Sequence, residues 1–427
     1  MSSSVFEGRH IAFAAPPYCG HLHPVLGVAL HLKSLGARCS VLTGLNKLHI
    51  VQDLGLQVCP IFQDQPDALE NIANTDRRMT LSPRIMLRQV RENVNLIPKA
   101  IAETRSLFAE DKPDLVVCDF TAFPVALVAR TLGIPDVTLT PSPLAIENTD
   151  GVPGYFRGLK PGNTPFHFAR DFAARKLTRL AKKSFTLPFA KTLAECGFQL
   201  YRPDGSESIY SNLATFGLGM YELEFDRSWP KAFKMVGPVN FTPEASMPIN
   251  LRTLCKRPMV LVTAGTHVWW AKKKLIADTS SLRAAFPHLF FVYSLGDSQS
   301  VNIDPIEKNE HFAVYSYIPY DHHLKSFCAV LHHAGTGILY QCIRQGIPAL
   351  ARPLDYDQFD YAARLEKRNL GVAVNSFDSR ATHAKLRRIV QYPKSFDLQY
   401  FQSKLATYDA FGSIASTLAT IIQAKGH

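Results

Sequence analysis

Two histidines, a small-residue turn and a helix start run together at Val330-Leu331-His332-His333-Ala334-Gly335-Thr336-Gly337-Ile338, and sixteen residues beyond Gln341 stands the pair Asp357-Gln358. An apolar run that ends in such a turn reads as a buried strand feeding a helix, predicted here to open at Gly337. Unpaired N–H groups and the positive end of the dipole make a helix start a ready seat for phosphate. Gly335 and Gly337 let the backbone approach a ligand closely, and His333 can donate to a phosphate oxygen. The stretch reads as a seat for a diphosphate. Asp357-Gln358 follows the next strand and pairs acceptors with a donor, which suits vicinal sugar hydroxyls. Asp355-Tyr356-Asp357 also fits a metal-binding DxD, but its position after the phosphate turn favours sugar contact.

A proton acceptor is spelled out near the other end. His10–Ala15 is an apolar run that leads into Pro16-Pro17-Tyr18-Cys19-Gly20-His21-Leu22-His23-Pro24. One glycine cannot make a dinucleotide fingerprint, whereas a histidine in the first strand-to-helix loop suits general-base work near neutral pH. His21 is expected to precede a helix over 24–33, with His23 a positional neighbour of Pro24. Asp119, at the end of the strand Leu115–Cys118, has two readings: it orients the His21 ring, or it caps the helix that follows. Thr266, in Thr263-Ala264-Gly265-Thr266, brings a hydroxyl to a small loop after a strand. Tyr317-Ile318-Pro319-Tyr320 either sets an aromatic ring against a nucleobase or closes a strand.

The elements that must position these residues alternate. Strands at Ala37–Leu42 and Val137–Leu139 and a helix over 123–132 join those above. A second series follows at Met259–Thr263, Phe290–Ser294, Ala313–Tyr315, Val330–His332 and Ala349–Ala351. Such alternation implies parallel sheets with helices on both faces. A chain of 427 residues suggests two domains of about 200 residues each, and the proline-bearing stretch 236–250 is the best linker. The division is 1–240, 251–400, and a C-terminal helix within 401–427 expected to pack back towards the first domain.

Composition is that of an ordinary globular protein, with 46% hydrophobic and 19% charged residues. No signal peptide and no run of about 20 apolar residues is read from the sequence, and the eight cysteines are scattered without paired spacing. These features point to a reduced, cytoplasmic protein. The net charge of +11 is densest in Arg170, Arg175, Lys176, Arg179, Lys182 and Lys183. Read as a helix, this segment has an apolar stripe in Phe168, Phe172, Leu177, Leu180 and Ala181. Three readings stay open: a solvated basic face, a membrane-surface helix over about 166–185, or contact with an anionic acceptor. Nucleic acid is disfavoured, because no aromatic interleaving or known binding signature accompanies the charge.

Together these residues resemble the GT-B glycosyltransferases of the UDP-glycosyltransferase superfamily, in particular its bacterial natural-product branch of macrolide and zeaxanthin glycosyltransferases. The resemblance covers nearly the whole chain and is most specific from Tyr317 to Glu366. It implies an α/β GT-B fold, with two doubly wound Rossmann-like domains facing a cleft. It implies His21 of Gly20-His21-Leu22-His23-Pro24 as general base and Asp119 as its orienting aspartate. Thr266, Tyr317, Ile318, His333, Gly335, Thr336, Gly337, Gln341, Asp357 and Gln358 are implied as donor-binding residues. The implied activity is inverting, metal-independent sugar transfer from a nucleotide diphosphate sugar, UDP-glucose or a relative, with no cofactor, to a small hydrophobic hydroxylated acceptor. Residues 62–100 and 145–215 should form the acceptor side, where Phe166, Phe168, Phe172 and Phe185 suggest an aromatic or apolar acceptor. The chain departs from the pattern at three places. Tyr317 stands for a tryptophan, Gln341 for the glutamate that holds ribose, and Ile338 for a hydroxyl in the phosphate turn. A sugar-nucleotide-binding helper of another enzyme and a GT-B epimerase remain as alternatives.

Overall fold

The computed structural model describes residues 3–75, 78–79, 82–241, 249–251, 254–297, 300 and 302–425, so part of the 236–250 linker (242–248) lies outside the described residues. The first sheet comprises β1 (His10–Ala14), β2 (Arg38–Gly44), β3 (Gln57–Ile61), β4 (Leu115–Asp119), β5 (Asp136–Thr140), β6 (Thr215–Gly217) and β7 (Phe233–Met235). Its order is β3-β2-β1-β4-β5-β6-β7, parallel throughout. The second comprises β8 (Met259–Thr263), β9 (Phe290–Ser294), β10 (Glu307–Lys308), β11 (Phe312–Tyr315), β12 (Phe327–His332), β13 (Ala349–Ala351) and β14 (Gly371–Ala373). Its order is β10-β11-β9-β8-β12-β13-β14, parallel except for the β10 edge.

The apolar runs that mark β1, β4, β5, β8 and β9 are buried at every position, as strands covered by helices on both faces must be. Strands the sequence pattern does not reveal are short or weakly patterned. β6, β7 and β14 have three residues each, and β10 is two exposed charged residues. β3 is mostly half-exposed and contains Pro60. In each sheet the strand order reverses once near the middle, between β1 and β4 and between β8 and β12. At such switch points loops diverge and leave a crevice at the carboxyl ends of the strands.

The C-terminal helix Ala410–Lys425 buries Ile414, Leu418 and Ile422 in the core of the first domain, beside Leu22, Val25 and Leu26. The stretch Leu398–Lys425 is long and apolar enough to cross a membrane by composition, against the sequence reading that no such stretch exists. It is two helices, however, Leu398–Leu405 and Ala410–Lys425. The second, 16 residues long, measures about 24 Å against a hydrocarbon core of about 30 Å.

A buried ion pair ties the two domains together. Arg364, on the helix Gln358–Lys367, donates from Nη2 and Nε to Glu224 Oε2 at 2.7 and 2.9 Å, with both side chains 3% exposed.

The basic segment forms the helix Pro165–Thr186, but it faces the other way from the solvated-face reading. Arg179 and Lys182 turn inward onto Glu147 and Glu207, and the apolar residues point to solvent. Buried acids outside the helix, invisible in the segment's own periodicity, decide its orientation.

Candidate functional site

The acidic and basic groups near the first switch point are brought into contact by β1 and β4. The helix after β1 is Cys19–Ser34, so His21 lies in its first turn rather than in the loop before it. Pro24 lacks an N–H and marks the last place such a helix can begin; one further turn precedes it at the loss of one hydrogen bond. That turn is closed by the His21 and Leu22 N–H groups donating to Tyr18 O at 2.9 and 2.7 Å.

Asp119 ends β4 and serves both suggested roles at once. Its Oδ2 lies 2.9 Å from His21 Nδ1, and its Oδ1 accepts from the Thr121 N–H at 2.9 Å. The carboxylate side chain is 1% exposed and the imidazole 26%. A carboxylate only accepts, so Nδ1 carries the proton and Nε2 is left as the basic atom. Tyr18 and Phe120 flank the ring at 6.0 and 5.8 Å between centroids. Burial pushes the His21 pKa down, but the charge and hydrogen bond of Asp119, with the charge of Asp357, outweigh it and hold the pKa above its ordinary value.

At the second switch point the turn after β12 is compact. His332 is structural: its Nδ1 accepts from the Ala334 N–H at 2.9 Å, and burial pushes its pKa down to about 3. Ala334 takes φ +69°, a left-handed conformation that costs an alanine on the order of 1–2 kcal/mol. Gly335 is the N-cap of the helix Thr336–Gln345, one residue earlier than predicted, and no side chain caps it. The first N–H groups of that helix have no intrahelical acceptor.

The His333 ring lies between two glycines. A Cβ on Gly265 would come within 2.4 Å of its Cε1, and one on Gly335 within 2.4 Å of its Nε2. Burial, and then the charge of Lys272, push the His333 pKa down to about 4. His333 is therefore a neutral donor at pH 7, and its Nδ1 is buried without a hydrogen-bond partner among the described residues.

Positive charge enters from residues the sequence reading missed. Lys272 and Lys47 are 7% and 8% exposed, one from each domain, and neither has an ion-pair partner among the described residues. Lys272 Nζ donates to Thr266 O at 2.8 Å and lies 4.0 Å from the Trp269 ring centre. Burial lowers its pKa to about 8. Between the two lysines stands His267, whose Nδ1 is 2.9 Å from Thr266 Oγ1 and whose ring meets Tyr18 at 5.0 Å. Burial, then the charges of His21, Lys272, Lys47 and His333, push its pKa down to about 3. Buried ammonium groups are costly unless an anion meets them; the charge of Asp297 offsets part of that cost at Lys272, and the cluster is chemically suited to an anionic ligand. No motif flags these residues, because lysines at 47 and 272 have no spacing relation to the phosphate turn.

Other expected donor residues fare differently. Ile318 is fully buried and its N–H donates to Ser294 Oγ at 3.1 Å, so only its carbonyl remains for a ligand. Tyr317 is half-buried beside Tyr320, with centroids 6.3 Å apart, while Tyr320 Oη meets Thr263 Oγ1 at 3.0 Å. Ile338 is 3% exposed and packs in the domain core, so a hydroxyl there would not face the turn; Thr336 is the first residue of the helix. Gln341 donates its amide to Asp321, and its Oε1 is buried without a partner among the described residues.

The Asp357-Gln358 pair divides its work. Gln358 Oε1 accepts from the Leu354 and Asp355 N–H groups at 2.9 and 3.0 Å and so holds its own loop. Asp357 Oδ2 accepts from Ser142 Oγ of the first domain at 2.6 Å. Asp355 accepts from the Met79 N–H. The two carboxylates of the DxD are thus each engaged by a different donor of the first domain.

Known proteins resemble this chain in sequence and fold. The profile of the family described as UDP-glucoronosyl and UDP-glucosyl transferase matches residues 296–391. The chain is 22% identical to a zeaxanthin glucosyltransferase of Pantoea ananas over 410 residues, 93% of this chain and 91% of that one. It is also 22% identical to the NDP-glycosyltransferase YjiC of Bacillus licheniformis over 401 residues, 90% and 88% of the two chains. Among solved structures, the kitacinnamycin glycotransferase superposes with a TM-score of 0.72 at 18% identity, covering 96% of this chain and 98% of that one. The glycosyltransferase VinC in complex with DTDP gives 0.66 at 19% identity, covering 97% and 100%. With two Rossmann-like sheets, each with a switch point, and residues 296–391 matching the UDP-glucoronosyl and UDP-glucosyl transferase model, the chain has the GT-B fold and is a glycosyltransferase similar to the UDP-glycosyltransferases.

Proposed function

We propose that the enzyme transfers a sugar, with inversion and without a metal ion, from a nucleotide diphosphate sugar to the hydroxyl of a small hydrophobic natural product. A UDP-sugar is the expected donor. The observation that carries this reading is the His21–Asp119 pair at 2.9 Å, set across the cleft from His333, Lys272 and the start of Thr336–Gln345.

In one step, His21 Nε2 takes the acceptor hydroxyl proton as that oxygen bonds to the anomeric carbon. The bond from that carbon to the diphosphate oxygen breaks, and its electron pair leaves with the nucleotide. Attack opposite the leaving group inverts the centre. Asp119 steadies the imidazolium, while Lys272, Lys47, the Thr266 hydroxyl and the helix N–H groups meet the charge developing on the diphosphate. Gln341 Oε1 is a free acceptor for a ribose hydroxyl. The names of the relatives, among them a carotenoid glucosyltransferase and the kitacinnamycin enzyme, favour a hydroxylated apolar acceptor.

An incubation of UDP-, TDP- and GDP-sugars with hydrophobic alcohols and phenols tests the reading, with the anomeric configuration of the product read by NMR. A glycoside of inverted configuration is expected, in the absence of added metal and in the presence of chelator. A retained configuration, or turnover of donor to free sugar or epimer with no dependence on acceptor, would replace transfer with another chemistry. The intact His21–Asp119 pair disfavours the helper reading, since a helper needs no base.

A further inference from the structure

The helix Pro165–Thr186 presents its apolar side to solvent and its charged side to the protein. Inward, Arg179 Nη1 pairs with Glu147 at 3.2 Å, its guanidinium lies 3.9 Å from the Tyr201 ring centre, and Lys182 pairs with Glu207 at 2.5 Å. Arg170 pairs with the buried Asp171 at 2.7 Å, and Arg175 donates to the Gly151 carbonyl. Outward stand Phe166, Phe168, Phe172, Leu177, Leu180 and, just past the helix end, Leu187, between 56% and 73% exposed. A soluble protein rarely leaves so continuous an apolar row in water unless something covers it.

The charges on that face select the partner. Lys176 and Lys183 are exposed without ion pairs among the described residues; Lys176 Nζ lies 5.4 Å from the Phe172 ring centre, and Lys183 Nζ, at the edge of the face, lies 5.6 Å from the Tyr201 ring centre. Between residues 165 and 194 the sole acid is Asp171, which is buried in its pair with Arg170. The face is therefore apolar with cations and no exposed carboxylate, the pattern of helices that lie in a membrane interface. A second copy of the chain would bring the same lysines together in a protein already carrying +11.

We propose that this face docks the protein on an anionic lipid bilayer. The phenylalanines and leucines enter the headgroup boundary, and Lys176 and Lys183 meet the lipid phosphates. The inference stands apart from the proposed transfer chemistry: Phe166, Phe168 and Phe172, expected on the acceptor side, are instead exposed on the helix surface, and none of these residues contacts His21 or Asp119.

Co-sedimentation of the full chain with vesicles tests it, using phosphatidylcholine mixed with phosphatidylglycerol against phosphatidylcholine alone. The wild type is expected to bind the mixed vesicles and to bind the neutral ones far more weakly, since each cation near an anionic surface is worth about fivefold. Phe166→Ser/Phe172→Ser/Leu180→Ser should weaken binding by about tenfold or more. Lys176→Glu/Lys183→Glu should abolish the preference for the anionic vesicles. All five positions are exposed, and an unchanged melting temperature and UDP affinity would show that the variants fold. A wild type that ignores the mixed vesicles, or a triple variant that binds like the wild type, overturns the proposal. So does a dimer in analytical ultracentrifugation that the triple variant breaks while no vesicle binds, which would make this face a contact between copies.

Discussion

His21 and His333 stand at the switch points of their own sheets, yet their surroundings pull their protons in opposite directions. His21 sits against the buried carboxylate of Asp119 and holds its proton to a higher pH than an ordinary histidine. His333 is pressed between Gly265 and Gly335, near Lys272, and loses its proton by about pH 4. One residue type thus yields a base on one side and a neutral hydrogen-bond donor on the other. The difference lies in the neighbour: a carboxylate for the first, an ammonium and burial for the second. Under the proposed function, positive charge at the diphosphate would then come from lysines rather than from the neutral His333.

The sharpest way to break this contrast is to remove the carboxylate. Asp119→Asn should lower kcat by about 10²–10⁴, the usual worth of an oriented general base. The sign of its pH effect is fixed by the raised pKa of His21. In the wild type activity falls as pH drops through a value above that of a free histidine, because the base becomes protonated. In Asp119→Asn that acid limb should move to lower pH. A pH profile of kcat/KM checks both; an acid limb that does not move would detach Asp119 from the base.

On the other side, Lys272→Met should weaken UDP binding by about 10- to 100-fold, as expected for a hydrogen bond to a charged group, with a much smaller effect on kcat. Isothermal titration calorimetry reads this directly. An unchanged affinity would remove Lys272 from the anion seat. A smaller effect follows from its pKa of about 8. Near pH 8 the free enzyme is partly deprotonated at Lys272, and a bound diphosphate favours the ammonium form. UDP binding should then take up a fraction of a proton, visible as a dependence of the heat on buffer ionisation enthalpy. At pH 6 that uptake should vanish from Lys272.

The sequence makes the first half of this contrast more legible than the second. His21 and Asp119 follow strands whose apolar runs are unmistakable, and the chemistry lies in side chains adjacent to those runs. The strand ends β8 and β12 are equally plain, and with them Thr266 and His333. Hidden from the sequence are the groups whose position depends on long-range packing. Lys47 and Lys272 reach the site from the ends of two short helical turns, Leu45–Lys47 and Trp269–Lys272, one in each domain, and Gln358 turns its oxygen to its own backbone. Ile338 faces the core because the helix begins at Thr336. The helix Pro165–Thr186 is another case. Its orientation is set by Glu147 and Glu207, which no pattern within the helix records.

The central claim is that proton removal and leaving-group binding belong to different halves of the site, and one variant separates them. His21→Ala, assayed for turnover and titrated with UDP in the same preparation, should lose about 10²–10⁴ in kcat while its UDP affinity stays close to that of the wild type. A variant that keeps most of its turnover, or one that loses UDP binding in step with its activity, would contradict the account.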